Sequence, residues 1–144
     1  MYEIRKAEFE NFDSIKSFLF EVPAIDSIDE DVLKNASVLY LDEKIYGIIS
    51  YELFFNYALI RYFVFKRNVD EMIVKELFDS IEDSVSKNDI DYIFSLVNHM
   101  DIYNLFTSLN FKEISKEDVF IEEQNYQNSK FKDTKLMIKK ITTK

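Results

Sequence analysis

The sequence predicts one α/β domain with a mixed β-sheet, in the element order β-α-(α)-β-β-β-α-β-α-β-β. Two observations lead to this prediction: short apolar runs bounded by turn residues recur along the chain, and longer stretches repeat apolar residues at helical spacing. The chain has 144 residues, of which 47% are hydrophobic and 16% aromatic, enough to fill the core of one domain. We therefore expect residues 1–144 to form a single domain.

The first part of the chain is predicted to form a strand, a helix and a short helical turn. Tyr2–Ala7 has the pattern of a strand. Asn11 or Asp13 can cap a helix whose apolar residues lie on one stripe, and this helix is expected to end before Pro23. A second, shorter helical turn is expected near Val32–Ala36.

Three strands are predicted next. Ser37–Leu41 and Ile45–Phe55 flank a turn at Asp42–Lys44, which indicates a hairpin. Ala58–Lys66 is apolar on both faces, a pattern typical of a central strand.

The second half of the chain is predicted to contain two helices and three strands. The first helix is expected to open at Asn68 and to run to residue 87, and the second covers Met100–Leu109. A helix between two strands of one sheet makes those strands parallel, so the sheet is expected to be mixed. The strands are Asp91–Val97, Lys112–Glu122 and Lys135–Ile141, the last two separated by the polar residues 123–133.

Composition and charge exclude several classes of function. The formal charge is −9, whereas nucleic-acid-binding proteins carry a basic face. The chain has no cysteine, and its one histidine, His99, cannot form a His-rich metal centre. Neither a signal peptide nor an apolar run long enough to span a bilayer is found, so we expect a cytoplasmic protein that binds neither nucleic acid nor membranes.

The most specific signal lies in Val64–Leu77, where the central strand ends and the long helix begins. This stretch aligns without gaps with the pattern V-H-P-D-Y-R-G-K-G-I-G-S-K-L, and Val64, Ile73 and Leu77 match it. Together with Gly47 between apolar residues of the preceding strand and with the element order, the stretch resembles the GNAT superfamily of acetyl-CoA-dependent N-acetyltransferases. The resemblance implies a GNAT-like fold over nearly the whole chain and acetyl-CoA as the cofactor.

The resemblance also assigns cofactor-binding positions. The pantetheine arm of acetyl-CoA would bind main-chain groups of Tyr62, Phe63 and Val64. The segment that follows corresponds to the family's diphosphate-binding loop, and its positions are Lys66, Arg67, Val69, Asp70, Glu71, Met72, Ile73 and Val74.

The sequence departs from the family pattern where the family contacts phosphate. Asp70, Met72 and Val74 stand at the glycine positions, which let backbone N–H groups approach the diphosphate, and their side chains are expected to obstruct that approach. Val69 replaces the family's arginine or glutamine. Asn68 with Glu71 forms a capping-box-like pair, so we expect the protein's own polar groups to satisfy this helix start.

The family's second motif is altered as well. Counting back from Phe111, Phe106 stands where the family has a tyrosine that protonates the departing thiolate. His99 and Asn110 stand at the asparagine and glycine of that motif, and asparagine enters left-handed conformations more readily than most residues. Tyr103, one turn before Phe106, is the candidate general acid.

Family members often carry a glutamate at the start of the central strand that orders a water to deprotonate the amine, and Ala58 stands near that place here. The candidate general base is therefore Glu52, on the neighbouring strand, or water.

Several functions follow from these residues. One is transfer of an acetyl group from acetyl-CoA to a primary amine of a small molecule or peptide. Another is a catalytically inactive binding or regulatory module that does not bind CoA productively. A third is one half of an acyltransferase dimer whose partner supplies the missing loop, and a homodimer is compatible with the sequence.

Overall fold

The computed structural model describes residues 2–23, 25–66, 69–97, 100–114, 120–121, 124–125 and 135–141. The helices within these residues are α1 Phe12–Leu19, α2 Glu30–Leu33, α3 Glu71–Ser86 and α4 Met100–Ser108, with a 3₁₀ turn at Phe9–Asn11. The strands are β1 Tyr2–Lys6, β2 Ser37–Leu41, β3 Lys44–Leu53, β4 Tyr57–Phe65, β5 Tyr92–Val97, β6 Lys112–Glu113, β7 Phe120–Ile121, β8 Gln124–Asn125 and β9 Lys135–Lys140.

The main sheet is mixed, as predicted, with the strand order β1-β2-β3-β4-β5-β9-β6. β4 and β5 are parallel, with Tyr57 opposite Tyr92 and Leu59 opposite Phe94. The pairs β1–β2, β2–β3, β5–β9 and β6–β9 are antiparallel, and β7 pairs with β8 in a separate sheet. The chain divides into two units: Met1–Glu52 with Ile60–Asn88, and Leu53–Leu59 with Asp89–Lys144.

In the first unit, helices pack on both faces of β2 and β3. Val38 and Tyr40 face α1, whose buried residues Phe12, Ile15, Phe18 and Leu19 belong to the same hydrophobic cluster. The neighbouring residue Ser37 faces the other side, because side chains alternate along a strand, and its hydroxyl lies 2.9 Å from that of Ser80 in α3. These contacts fix α3 against the sheet.

The hairpin between β2 and β3 turns at Asp42 and Glu43. Both residues have positive φ, 49° and 69°, the backbone that a two-residue hairpin turn with right-handed strand twist requires. Ile45 and Gly47 pair with the adjacent residues Tyr40 and Leu39, so Tyr46 is an extra residue that bulges from β3.

In the second unit, β5 pairs along its whole length with β9, and α4 contacts β5. α4 ends in a Schellman motif: the N–H of Phe111 donates to the carbonyl of Phe106 at 3.0 Å, and that of Asn110 to Thr107 at 3.0 Å. Asn110 has φ 72°, as its place at the family's glycine position suggested. The rings of Phe106 and Phe111 meet edge to face with centroids 4.8 Å apart, which is the hydrophobic contact expected for this cap.

Two predicted elements differ from the structure. α1 ends at Leu19, four residues before Pro23, and Asn11 occupies its N-cap position without a side-chain hydrogen bond. The single strand predicted over Lys112–Glu122 is wrong: Lys112–Glu113 (β6) pairs with β9, whereas Phe120–Ile121 (β7) pairs in a separate sheet with β8, which lies in the polar stretch 123–133. Strand pairing uses backbone groups, so the polar pair Gln124–Asn125 can form it without an apolar pattern. Within the described residues, every helix is too short or too polar to cross a lipid bilayer.

Candidate functional site

Asp70 caps α3 and occupies the hydrogen-bond donors at its start. Its backbone is extended, and its Oδ1 accepts a hydrogen bond from the N–H of Met72 at 2.8 Å. Its carbonyl oxygen accepts from the N–H groups of Ile73 at 2.9 Å and Val74 at 3.1 Å. Asp70 thereby accepts hydrogen bonds from three consecutive backbone N–H groups. The first of them, that of Met72, is one of the N–H groups that a helix start otherwise offers to a bound anion.

The prediction that Asn68 opens this helix is wrong. α3 begins at Glu71 with Asp70 as its N-cap, and Asn68 lies outside the described residues. Asp and Asn are nearly equal as N-caps, so two such residues close together leave the helix start ambiguous from sequence. The expectation that the protein's own side chains satisfy the helix start is met by Asp70 instead.

The side chains at the three positions that align with the family's glycines lie in different environments. Asp70 is exposed, and Met72 is 76% exposed at the helix start. Val74 is only 6% exposed and packs in the core, so the expectation that its side chain obstructs a ligand is wrong. The helical period explains this, because Val74 shares the buried face of α3 with Leu77 and Phe78. Val69 and Ile73 are half-buried.

The end of β4, where the pantetheine arm was predicted, is bent at Tyr62. This residue has φ 46°, which is a genuine outlier for a bulky side chain within a strand. Its hydroxyl accepts a hydrogen bond from the backbone N–H of Asp29 at 3.0 Å, and both Tyr62 and Val64 pack against the cluster that contains α1. The rings of Phe63 and Phe65 meet edge to face, with their centroids 5.1 Å apart.

Lys66 follows β4 and is exposed. Its backbone N–H donates to the carbonyl of Tyr46 at 2.9 Å, and its ammonium lies 5.0 Å from the centre of the Tyr46 ring. Arg67, the other predicted cation of this segment, lies outside the described residues.

Glu52, the candidate base, forms an ion pair with Arg61 of β4. The carboxylate accepts a hydrogen bond from the guanidinium at 2.5 Å, and the two side chains are 26% and 28% exposed. The Arg61 guanidinium also lies 5.7 Å from the centre of the Tyr62 ring. A base must accept a proton from its substrate, and this carboxylate is already engaged by a permanent cation. No sequence pattern marked Arg61 as its partner.

The candidate acid Tyr103 is half-buried on α4, in the second unit, whereas Glu52 belongs to the first. The ammonium of Lys135 lies 4.9 Å from the centre of the Tyr103 ring. Phe106, at the family's tyrosine position, is 1% exposed and belongs to the core. His99 lies outside the described residues.

The residues at the start of α3 do not fit the diphosphate of CoA. The negative charges of a diphosphate would be repelled by the Asp70 carboxylate. The N–H of Met72 already donates a hydrogen bond to that carboxylate. Among the residues that the structure describes, no group of three acidic or histidine side chains is placed to hold a metal ion.

No protein-family model matches the sequence, and no curated protein matches it. Many solved structures do match the fold. N-acetylglutamate synthase from Neisseria gonorrhoeae, complexed with coenzyme A and N-acetyl-glutamate, is 19% identical with a TM-score of 0.75; the match covers 99% of this chain and 35% of that one. This chain therefore spans about a third of that protein's length.

Two matches cover nearly the whole of both chains. A probable acetyltransferase from Staphylococcus epidermidis is 16% identical, with a TM-score of 0.71 and coverage of 99% of this chain and 100% of that one. An N-acetyltransferase from Staphylococcus aureus is 18% identical, with a TM-score of 0.71 and coverage of 98% of both chains. The chain has the GNAT fold, as the sequence predicted.

Proposed function

We propose that this protein is a GNAT-fold binding module that does not use acetyl-CoA for group transfer. The observation that carries the proposal is the hydrogen bond from the Met72 N–H to the Asp70 carboxylate, which occupies the start of α3. A diphosphate bound there would have to displace a charged N-cap and would approach a carboxylate of its own sign. Both effects oppose binding.

Two further positions support the same function. Glu52 forms a half-buried ion pair with Arg61, and a carboxylate beside a permanent cation is a weaker proton acceptor, which supports a role other than general base. Phe106 has no hydroxyl and fills the core beneath the α4 cap, so it has a packing role at a position where the family has a proton donor.

The second candidate function is transfer of an acetyl group from acetyl-CoA to a primary amine of a small molecule or peptide. It is favoured by the fold, since N-acetylglutamate synthase, which matches 99% of this chain, was solved with coenzyme A. In that function Glu52 would be the base and Tyr103 the acid. The module would reside in the cytoplasm in either case.

Calorimetric titration and thermal unfolding with acetyl-CoA test the proposal. We expect no saturable heat and no rise in melting temperature up to millimolar acetyl-CoA. The matched variant Asp70→Gly/Met72→Gly restores two of the family's glycines and frees the N–H of residue 72, so it is expected to bind acetyl-CoA better than the parent. Micromolar binding by the parent, or acetylation of an added amine, would refute the proposal and favour the second function.

A further inference from the structure

The first unit contains a polar cleft of about 560 Å³ between α1 and the hairpin β2–β3, which no sequence motif marked. Its apolar part is formed by the nearly buried side chains of Phe18 and Tyr40 and by Ile45. Ser14 and Ser17 line it from α1, since residues three apart lie on one helical face, and Glu21 lines it from the turn after that helix. The cleft is therefore an amphipathic surface that presents several polar groups to one space.

Arg5 also lines the cleft, but its charge is already engaged. Its guanidinium donates to the Glu3 carboxylate at 2.6 Å and lies 3.4 Å from the carboxylate of Glu43, and it stacks 4.5 Å from the centre of the Tyr40 ring. The hydrogen bond from Arg5 lowers the pKa of Glu3 and keeps that carboxylate ionised. Arg5 thus forms a fixed wall of the cleft.

Lys44 and Lys66 line the same cleft and are exposed. Among the described residues, neither forms an ion pair, and neither does Glu21. Two carboxylates line the cleft as well: Glu21, and Glu43, which lies beside Arg5. Counting Arg5, the lining holds three cations against two carboxylates, an excess of one positive charge in a chain whose formal charge is −9. The hydroxyls of Ser14 and Ser17 add neutral hydrogen-bond donors.

We propose that this cleft binds a small oxyanion with more than one negative charge, held by the ammonium groups of Lys44 and Lys66. The chemistry shared by such ligands is a phosphate or a pair of carboxylates, since both accept several charged hydrogen bonds from lysine. The inference builds on the function proposed above, because it names the ligand class that the module would take. It does not depend on the start of α3.

The test is calorimetric titration of the full chain with inorganic phosphate and, separately, with glutarate, at low ionic strength. We expect at least one of the two anions to bind. The tighter-binding anion shows whether the cleft prefers a phosphate or a pair of carboxylates. The variant Lys44→Gln/Lys66→Gln is expected to bind that ligand more weakly by about tenfold or more, the loss of two charged contacts. Lys44→Arg/Lys66→Arg should retain binding, because it keeps both cations.

Lys75→Gln is the matched control, since Lys75 is an exposed lysine of α3 that does not line the cleft. It removes one positive charge from the same unit and should leave the affinity unchanged. Binding of neither anion, or equal weakening by Lys75→Gln and by the cleft variant, would overturn the inference. Acetyl-CoA binding that Lys44→Gln/Lys66→Gln leaves unchanged would refute the proposed function alone, so the two failures can be told apart.

Discussion

The ring of Phe65 lies over the α-carbon of Gly47, so close that a β-carbon at position 47 would fall inside the ring's van der Waals contact distance. The backbone φ of Gly47 is not positive, so glycine is required here by space and not by conformation. This contact explains the single glycine of the chain.

Gly47→Ala is therefore expected to destabilise the protein by about 1–3 kcal/mol, the usual cost of overpacking, because the Phe65 ring must move. Urea unfolding measures the change. Combining it with Phe65→Leu should recover part of the loss, since leucine withdraws the ring atoms that the new methyl group meets. Additive losses in the double variant would contradict this explanation.

Asp70→Ala should lower the free energy of unfolding by about 1 kcal/mol, because it removes the N-cap of a helix that packs along the sheet. Asp70→Asn keeps a side-chain oxygen for the Met72 N–H, so its free energy of unfolding should remain within a few tenths of a kcal/mol of the parent's. Denaturant unfolding of the three proteins separates capping from charge. Equal losses in both variants would show that the carboxylate charge, and not the cap, is what matters.

Tyr62→Phe removes the acceptor of the Asp29 N–H while keeping the ring in the core. We expect a loss of about 0.5–1.5 kcal/mol, typical of one hydrogen bond, and faster hydrogen exchange at the Asp29 amide. The Asp31 amide is the internal control, because its N–H donates to the Asp29 carboxylate at 2.9 Å and not to Tyr62. Unchanged exchange at Asp29 would mean that the hydroxyl does not hold this segment.

Burial raises the pKa of Tyr51 above its ordinary value of 10.0. The folded state therefore binds the phenol proton more tightly than the unfolded state, and this stabilisation is present below the ordinary pKa and is lost as pH rises through the folded pKa. Above that ordinary value the parent should lose stability as pH increases, and Tyr51→Phe should lose it less steeply. Unfolding titrations at several alkaline pH values give both slopes.

At neutral pH Tyr51→Phe should still cost about 1 kcal/mol, because the Tyr51 hydroxyl lies in hydrogen-bond contact with Ser84. Ser84→Ala is the matched variant, since it removes the same contact but keeps the phenol. Its alkaline loss of stability should be at least as large as that of the parent, because the contact with Ser84 lowers the pKa of Tyr51 and its removal leaves the effect of burial unopposed. A flattened slope in Ser84→Ala would assign the pH dependence to another group.

Much of the fold could be predicted from sequence because apolar spacing records which side of an element is buried. β2 was predicted with its observed limits, Ser37–Leu41, and the limits of β5 and α4 differ from prediction by one residue at one end. The start of α3 was misplaced because capping residues stand at both 68 and 70 and only the folded chain selects one.

The candidate site was less predictable, because its decisive features are contacts between residues distant in sequence. Tyr62 looks like an ordinary strand residue, and nothing near it signals a positive φ. The partner of Glu52 is nine residues away on the next strand, and the cleft joins α1 to the hairpin through Arg5, Lys44 and Lys66. Such groupings arise only when strand register and helix placement are known.

The left-handed residues of this chain carry a consequence for engineering. Among the described residues Asp42, Glu43, Tyr62, Asp89 and Asn110 all have positive φ, and none is glycine. The left-handed region costs an L-residue roughly 1–2 kcal/mol, and Asn and Asp tolerate it better than other residues, so these positions lower the free energy of unfolding. Asp89→Gly touches neither the cleft nor the start of α3. It should raise the free energy of unfolding and so give a more stable parent protein, in which destabilised variants remain folded and can be compared.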